Sequence, residues 1–104
     1  MNDVDYNKYY ALFDYSNPIK AQKQAEKWLG KSAKLYPSSK KEKKYMVQNP
    51  DGKWIHFGQF GMEDFLHHKS KDRQRLYRLR AENIKGNWKK NKYSPNNLSI
   101  HILW

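Results

Sequence analysis

The chain has 104 residues, a formal net charge of +11 and a pI of about 9.8, with four Trp, eight Tyr and four Phe but no cysteine. This length allows one domain with a modest core. The missing cysteines exclude disulfides, thiolate catalysis and cysteine-ligated zinc, and no apolar run approaches the ~20 residues of a membrane span. Residues 1–40 hold seven Lys and Arg against four acids, whereas residues 41–104 hold fourteen against six, so the basic excess lies late in the chain. Such a charge describes partners rather than fold, and nucleic acid is the leading polyanion. Aliphatic residues are scarce, so the aromatics are expected to supply much of the burial. The start MNDVDYNKYY is acidic and aromatic, unlike a signal peptide, and the chain reads as soluble and unprocessed.

Val4, Tyr6, Tyr9, Tyr10 and Phe13 approximate helical spacing and predict a short aromatic-faced helix over residues 3–14. Asn17-Pro18 is a helix start, since Asn caps and Pro fits the first helical position. Ala21, Ala25 and Trp28 then form a stripe, with Lys20, Lys23 and Lys27 off it, and Gly30 closes the helix. These elements make residues 1–30 an N-terminal helical aromatic segment. Residues 31–43 read as a basic linker with Pro37, two serines and lysines.

From residue 44 the chain reads as a hairpin-helix basic module that runs to residue 104. Tyr45 and Val47 alternate with Met46 and Gln48. Asn49-Pro50-Asp51-Gly52 is a turn in which Pro50 presets φ and Gly52 accepts a positive one. Lys53 to Phe57 resumes the strand, with Trp54 and His56 on one side and Ile55 and Phe57 on the other. Gly58 and Gly61 let the chain leave the sheet. A short helix over 62–68 carries Phe65 and Leu66 on its apolar side. Ser70 caps a second helix, about 71–84, with Leu76, Leu79, Ala81 and Ile84 expected inward and the arginines spread around the rest. Ser94-Pro95 starts a last short helix, favoured over a competing strand across 98–104. The Leu103-Trp104 ending is expected to be docked.

The run Lys53-Trp54-Ile55-His56-Phe57-Gly58, then Gly61, Asp64-Phe65, His68-Lys69 and the basic stretch Arg73 to Arg80 resembles a family of small basic proteins of unknown function, found in large eukaryotic DNA viruses and environmental viral sequences. Ser94-Pro95, Leu98-Ser99 and Leu103-Trp104 extend the likeness over about residues 44–104. The resemblance implies a viral origin and an accessory or virion-associated role, with no activity attached. Two departures stand out: the family's Asp-Pro-Glu before the basic helix is Ser70-Lys71-Asp72 here, and its Arg-His pair near that helix's end is Arg80-Ala81.

Among candidate sites the basic helix comes first. Lys69, Lys71, Arg73, Arg75, Arg78 and Arg80 can line a phosphate backbone, because the planar guanidinium matches phosphate oxygens. One helical face cannot hold all four arginines, and the plainer reading is a solvated face paired with Glu63, Asp64, Asp72 or Glu82. Lys40, Lys41, Lys43 and Lys44 form a second basic cluster. Trp54, Tyr77, Trp88 and Trp104 are candidates for stacking on bases or for an interface. Gly58, Gly61, Asp64 and His68 are expected to set the corner between hairpin and helix, with Asp64 as a helix cap or cation partner and His68 bonded to a backbone carbonyl. His67-His68 diverge on a helix, no His-x-x-x-His spacing is present, and the adjacent Glu63 and Asp64 point apart, so neither a metal site nor a two-metal nuclease is expected.

The expectation is therefore a small single α+β domain: an antiparallel β-hairpin packed against several short helices, with a basic linker. The expected function is non-enzymatic nucleic-acid binding, DNA before RNA, by a viral protein in the virion or in the host nucleus or cytoplasm. No cofactor, metal or membrane is involved. The alternative is a minor capsid or scaffold protein whose aromatic termini bridge larger subunits and whose arginines meet an acidic viral protein surface. Oligomeric state is not legible.

Overall fold

The computed structural model describes residues 4–104; Asp3, the first residue of the expected N-terminal helix, lies outside them. The elements run α1 (Tyr6–Ala11), α2 (Pro18–Leu29), β1 (Tyr36–Pro37), β2 (Lys43–Gln48), β3 (Trp54–Gln59), α3 (Phe65–His68), α4 (Lys71–Glu82) and α5 (Pro95–Leu98). Short 3-10 turns at Leu12–Asp14 and Trp88–Lys90 and a wide π-type turn at Ser99–Leu103 complete the chain. The three strands make one antiparallel sheet in the order β1-β2-β3. The fold is a small α+β domain, as expected from the sequence.

Local chemistry accounts for most element boundaries. The Asn17 side chain accepts from the Lys20 amide at 3.1 Å, with Pro18 following it into α2. Ser70 caps α4 through the Arg73 amide at 3.3 Å, and Ser94 caps α5 through the Asn97 amide at 3.2 Å. At the hairpin turn, Asn49 Oδ1 accepts from the amides of Asp51 at 3.0 Å and Lys53 at 2.9 Å, and Gly52 takes φ 85°. The register pairs Tyr45 with Phe57 and Val47 with Ile55, which places an apolar set together on the sheet.

Residues 31–43, expected as a linker, contain strand β1. Tyr36 pairs with Met46 and Pro37 with Tyr45, and the Ser38 amide donates to the Lys44 carbonyl at 3.0 Å. Pro37 is tolerated because β1 is an edge strand, where a missing N–H costs no ladder bond. The hairpin is thereby a three-stranded sheet, with β2 central and buried from Lys44 to Val47.

The core differs in composition from the aromatic one expected. Leu12, Ala21, Ala25, Val47, Leu66, Leu98, Ile102 and Leu103 surround Tyr45 and Phe57, while Trp28, Phe60, Tyr93 and Trp104 pack half-buried around that cluster. Tyr45 and Phe57 are the aromatics at the centre; the other large aromatics close the rim, and aliphatics fill the space between because the C-terminal turn inserts Leu98, Ile102 and Leu103 between α2 and the sheet. The expected last helix forms, then widens: the Trp104 amide bonds the Ser99 carbonyl at 3.1 Å, five residues back. This docks Leu103 and Trp104 as anticipated.

Helix α4 is oriented unlike its expected amphipathic face. Of the four residues expected inward only Ala81 is buried, whereas Leu76 is 44 %, Leu79 57 % and Ile84 53 % exposed. The stripe that meets the protein is Gln74, Tyr77, Arg78 and Ala81, spaced i, i+3, i+4 and i+7. Gln74 Nε2 and Arg78 Nε donate to the main-chain oxygen of Trp104 at 2.6 and 3.0 Å, and Arg78 reaches the Ile100 carbonyl at 3.3 Å. Tyr77 stacks on Trp104 with ring centres 4.2 Å apart and planes 7° from parallel. Hydrogen bonds to the main-chain oxygens of Ile100 and Trp104, joined by one aromatic stack, set the rotation of this helix.

Candidate nucleic-acid interface

The corner between sheet and helices organises the basic surface. Lys44, a member of the expected surface cluster, is only 2 % exposed and pairs with Asp64, itself fully buried, at 3.0 Å. Burial pushes the Lys44 amine below its usual range against the opposing pull of the Asp64 carboxylate. Asp64 thus acts as a cation partner; its side chain does not cap α3, although its carbonyl accepts the His67 and His68 amides at 3.0 and 3.1 Å. Lys44 belongs to the interior because it is in the central strand, where both faces of the sheet are covered.

Gly58 makes this arrangement possible. Its φ is 78°, and a Cβ there would meet Leu103 Cδ1 at 2.9 Å and Lys44 Cβ at 3.2 Å. Only a residue without a side chain admits Lys44 and Leu103 together. Gly61 also adopts a positive φ, 93°, so both glycines serve the corner.

His68 is bonded to the backbone, with the polarity reversed from a bond to a carbonyl: its Nδ1 accepts from the Ser70 amide at 2.9 Å. The proton therefore sits on Nε2, which is buried without a hydrogen-bond partner, as is Asp64 Oδ1. The His68 ring packs 5.1 Å from Trp104 and burial lowers its pKa. Glu63 points the other way from Asp64, accepting from Arg73 at 3.1 Å and lying 2.7 Å from His67 Nδ1. Among the described residues no group of three or more His, Asp or Glu is placed to hold a metal ion. No described helix is long and apolar enough to cross a membrane.

The remaining basic candidates separate into distinct places. Lys71, Arg75 and Arg80 are exposed on α4, and Lys69 is exposed at the left-handed residue that ends α3, φ 57°. Arg73 is engaged with Glu63, and Arg78 clamps the C-terminal segment. Lys43 comes together with Arg73 and Arg80 along one groove. Lys40 and Lys41 are exposed on a tight loop tied down by Lys8, whose amine donates to the Ser38 and Lys40 carbonyls at 2.8 Å each. The stacking candidates are largely occupied. Tyr77 and Trp104 stack on one another, Trp54 packs edge-on against Tyr36 at 5.7 Å, and Trp88 donates its indole N–H to the Ile84 carbonyl at 2.7 Å.

Sequence reasoning missed Lys20 and Lys23 as site residues. The Lys20 amine lies against that of Lys69, and this contact pushes its pKa down, with Lys23 adding to the effect. The available signal was their position off the apolar stripe of α2, which placed them on its solvent face.

Residues 33–81, just under half of the chain, match the profile of a family of unknown function, DUF5754. The matched stretch contains the sheet, the Lys44–Asp64 pair and α4 up to Ala81, and it stops short of the C-terminal turn that completes the core. No curated protein and no solved structure matches the chain.

Proposed function

We propose that this protein binds nucleic acid, DNA before RNA, through its Lys/Arg surface and without catalysing a reaction. One observation carries the reading. Among the described residues only two Lys or Arg side chains, Lys44 and Arg73, form ion pairs, so the exposed Lys20, Lys23, Lys40, Lys41, Lys69, Lys71, Arg75 and Arg80 leave the +11 charge uncompensated. A surface of that kind gains by displacing counterions from a phosphate backbone. Because Tyr77, Trp104 and Trp54 are engaged with other aromatics, the contacts fall on phosphates and carry little base specificity. The viral resemblance of residues 44–104 supports a viral protein that acts on the genome in the virion or in the host nucleus or cytoplasm.

Fluorescence anisotropy with a 20-base-pair duplex tests this. With about four phosphates contacted, affinity is expected to fall on the order of a hundredfold between 50 and 200 mM salt. A salt-independent affinity would falsify the reading.

A second reading, a minor capsid or scaffold component, is favoured by Tyr6 and Tyr10, which are 64 % and 68 % exposed on α1. Fractionating disrupted virions separates the two, because a scaffold component stays with the shell and a genome binder leaves with the DNA.

A further inference from the structure

Seven large hydrophobic residues are exposed among those described; Leu76 and Leu79 lie on α4, Ile84 just past its end, and Met62 in the turn between β3 and α3. Met62, Leu76 and Ile84 line a groove of about 720 Å³ between the end of β3, α4 and the C-terminal segment. Lys43, Arg73 and Arg80 stand along the same groove. Its one carboxylate, Glu63, is already engaged by Arg73 and His67. The apolar residues face outward because the polar stripe of α4 is committed to the C-terminal backbone.

We infer that this groove is a docking site for an acidic segment of another protein, carrying two or three apolar anchors among its carboxylates. The anchors cover Met62, Leu76 and Ile84 while the carboxylates meet Lys43 and Arg80, the helix-in-groove form of peptide recognition. Charge complementarity selects this occupant. A nucleic acid satisfies the cations, but its phosphates gain nothing from an aliphatic floor. A second copy of this chain brings Arg73 and Arg80 against their own kind in a molecule of net charge +11. The groove shares Arg80 with the proposed phosphate-binding surface, whereas its apolar floor at Leu76 takes no part in phosphate contact, so Leu76 separates the two readings.

The probe is a fluorescent 16-residue synthetic peptide with Leu at i, i+3, i+4 and i+7 and Glu elsewhere, beside a scramble of the same composition that disperses the leucines. The full-length protein is expected to bind the first saturably in the micromolar range. Leu76→Ser and Arg80→Glu, both at exposed positions, are each expected to weaken it roughly tenfold or more. Duplex DNA affinity of Leu76→Ser is expected to stay that of the parent. Four outcomes overturn the inference: equal binding of peptide and scramble, no binding of the peptide up to millimolar concentration, self-association in sedimentation that Leu76→Ser abolishes, or a parallel loss of duplex affinity in Leu76→Ser. The last two assign the groove to a second copy and to nucleic acid, respectively.

Discussion

Strands β2 and β3 turn Tyr45, Val47 and Phe57 into the core, whereas helix α4 turns Leu76 and Leu79 out and buries the stems of Gln74 and Arg78. The strands follow the usual rule because their neighbours on both sides are apolar surfaces, the helices and the C-terminal turn. Helix α4 meets a different surface, the main-chain oxygens of Ile100 and Trp104. Hydrogen bonds from a charged donor to half-buried acceptors contribute about as much as burying a leucine side chain, and Arg78 reaches both oxygens. Even within the sheet the rule has an exception at Lys44, whose charge is tolerated because Asp64 is fixed opposite it.

The largest expected effect breaks that exception. Asp64→Ala leaves a buried ammonium without its counter-charge and is expected to cost about 3–5 kcal/mol in urea unfolding, while Lys44→Met combined with Asp64→Leu recovers most of it. An unchanged urea midpoint in Asp64→Ala removes the pair as the anchor of the corner.

A smaller effect sharpens the contrast on α4. Arg78→Ala is expected to lose about 1.5–3 kcal/mol, the range for hydrogen bonds from a charged donor, whereas Leu79→Ala stays within about 0.5 kcal/mol of the parent. The reverse order in chemical denaturation means that α4 is held by its leucines after all.

The smallest effect is a pH dependence. Burial is the largest cause lowering the pKa values of His56, His68 and His101 below the usual value of 6.5. Neighbouring cations add to it: Lys40, Lys8 and Lys43 at His56, Arg73 and His67 at His68, and Arg78 at His101, with Glu42, Glu63, Asp64 and Glu82 opposing. For a base whose folded pKa is depressed, the unfolded chain binds more protons, so the stabilising contribution is present above about 6.5 and is lost as pH falls through the folded values. The melting temperature is expected to drop on acidification from pH 7.5 to 5. His101→Phe, which keeps an aromatic ring against Trp28, 3.7 Å away in the parent, is expected to flatten that drop. An equally steep profile in His101→Phe places the acid sensitivity elsewhere.

Asn17, Ser70 and Ser94 were legible as caps, and Asn49 to Gly52 as a turn, because each works through partners within four residues. Gly58 and Gly61 were legible as a corner for the same reason: a positive φ is a property of the residue itself. Lys69, Lys71, Arg75 and Arg80 are exposed, the usual outcome for charged side chains. The burial of Lys44 was not legible, since a lysine in a basic run gives no sign that Asp64, twenty residues on, will meet it. Strand β1 was hidden by Pro37 and by a lysine-rich context.

The sequence by itself determined the helix caps, the hairpin turn and the sign of the surface charge, all of which depend on residue type and near neighbours. The tertiary structure decided which face of α4 is buried, which lysine is withdrawn from the surface and which cations share a groove. The face of α4 depends on acceptors supplied 22 to 30 residues away, from Ile100 and Trp104, and the burial of Lys44 on a carboxylate 20 residues away, and no local periodicity records either.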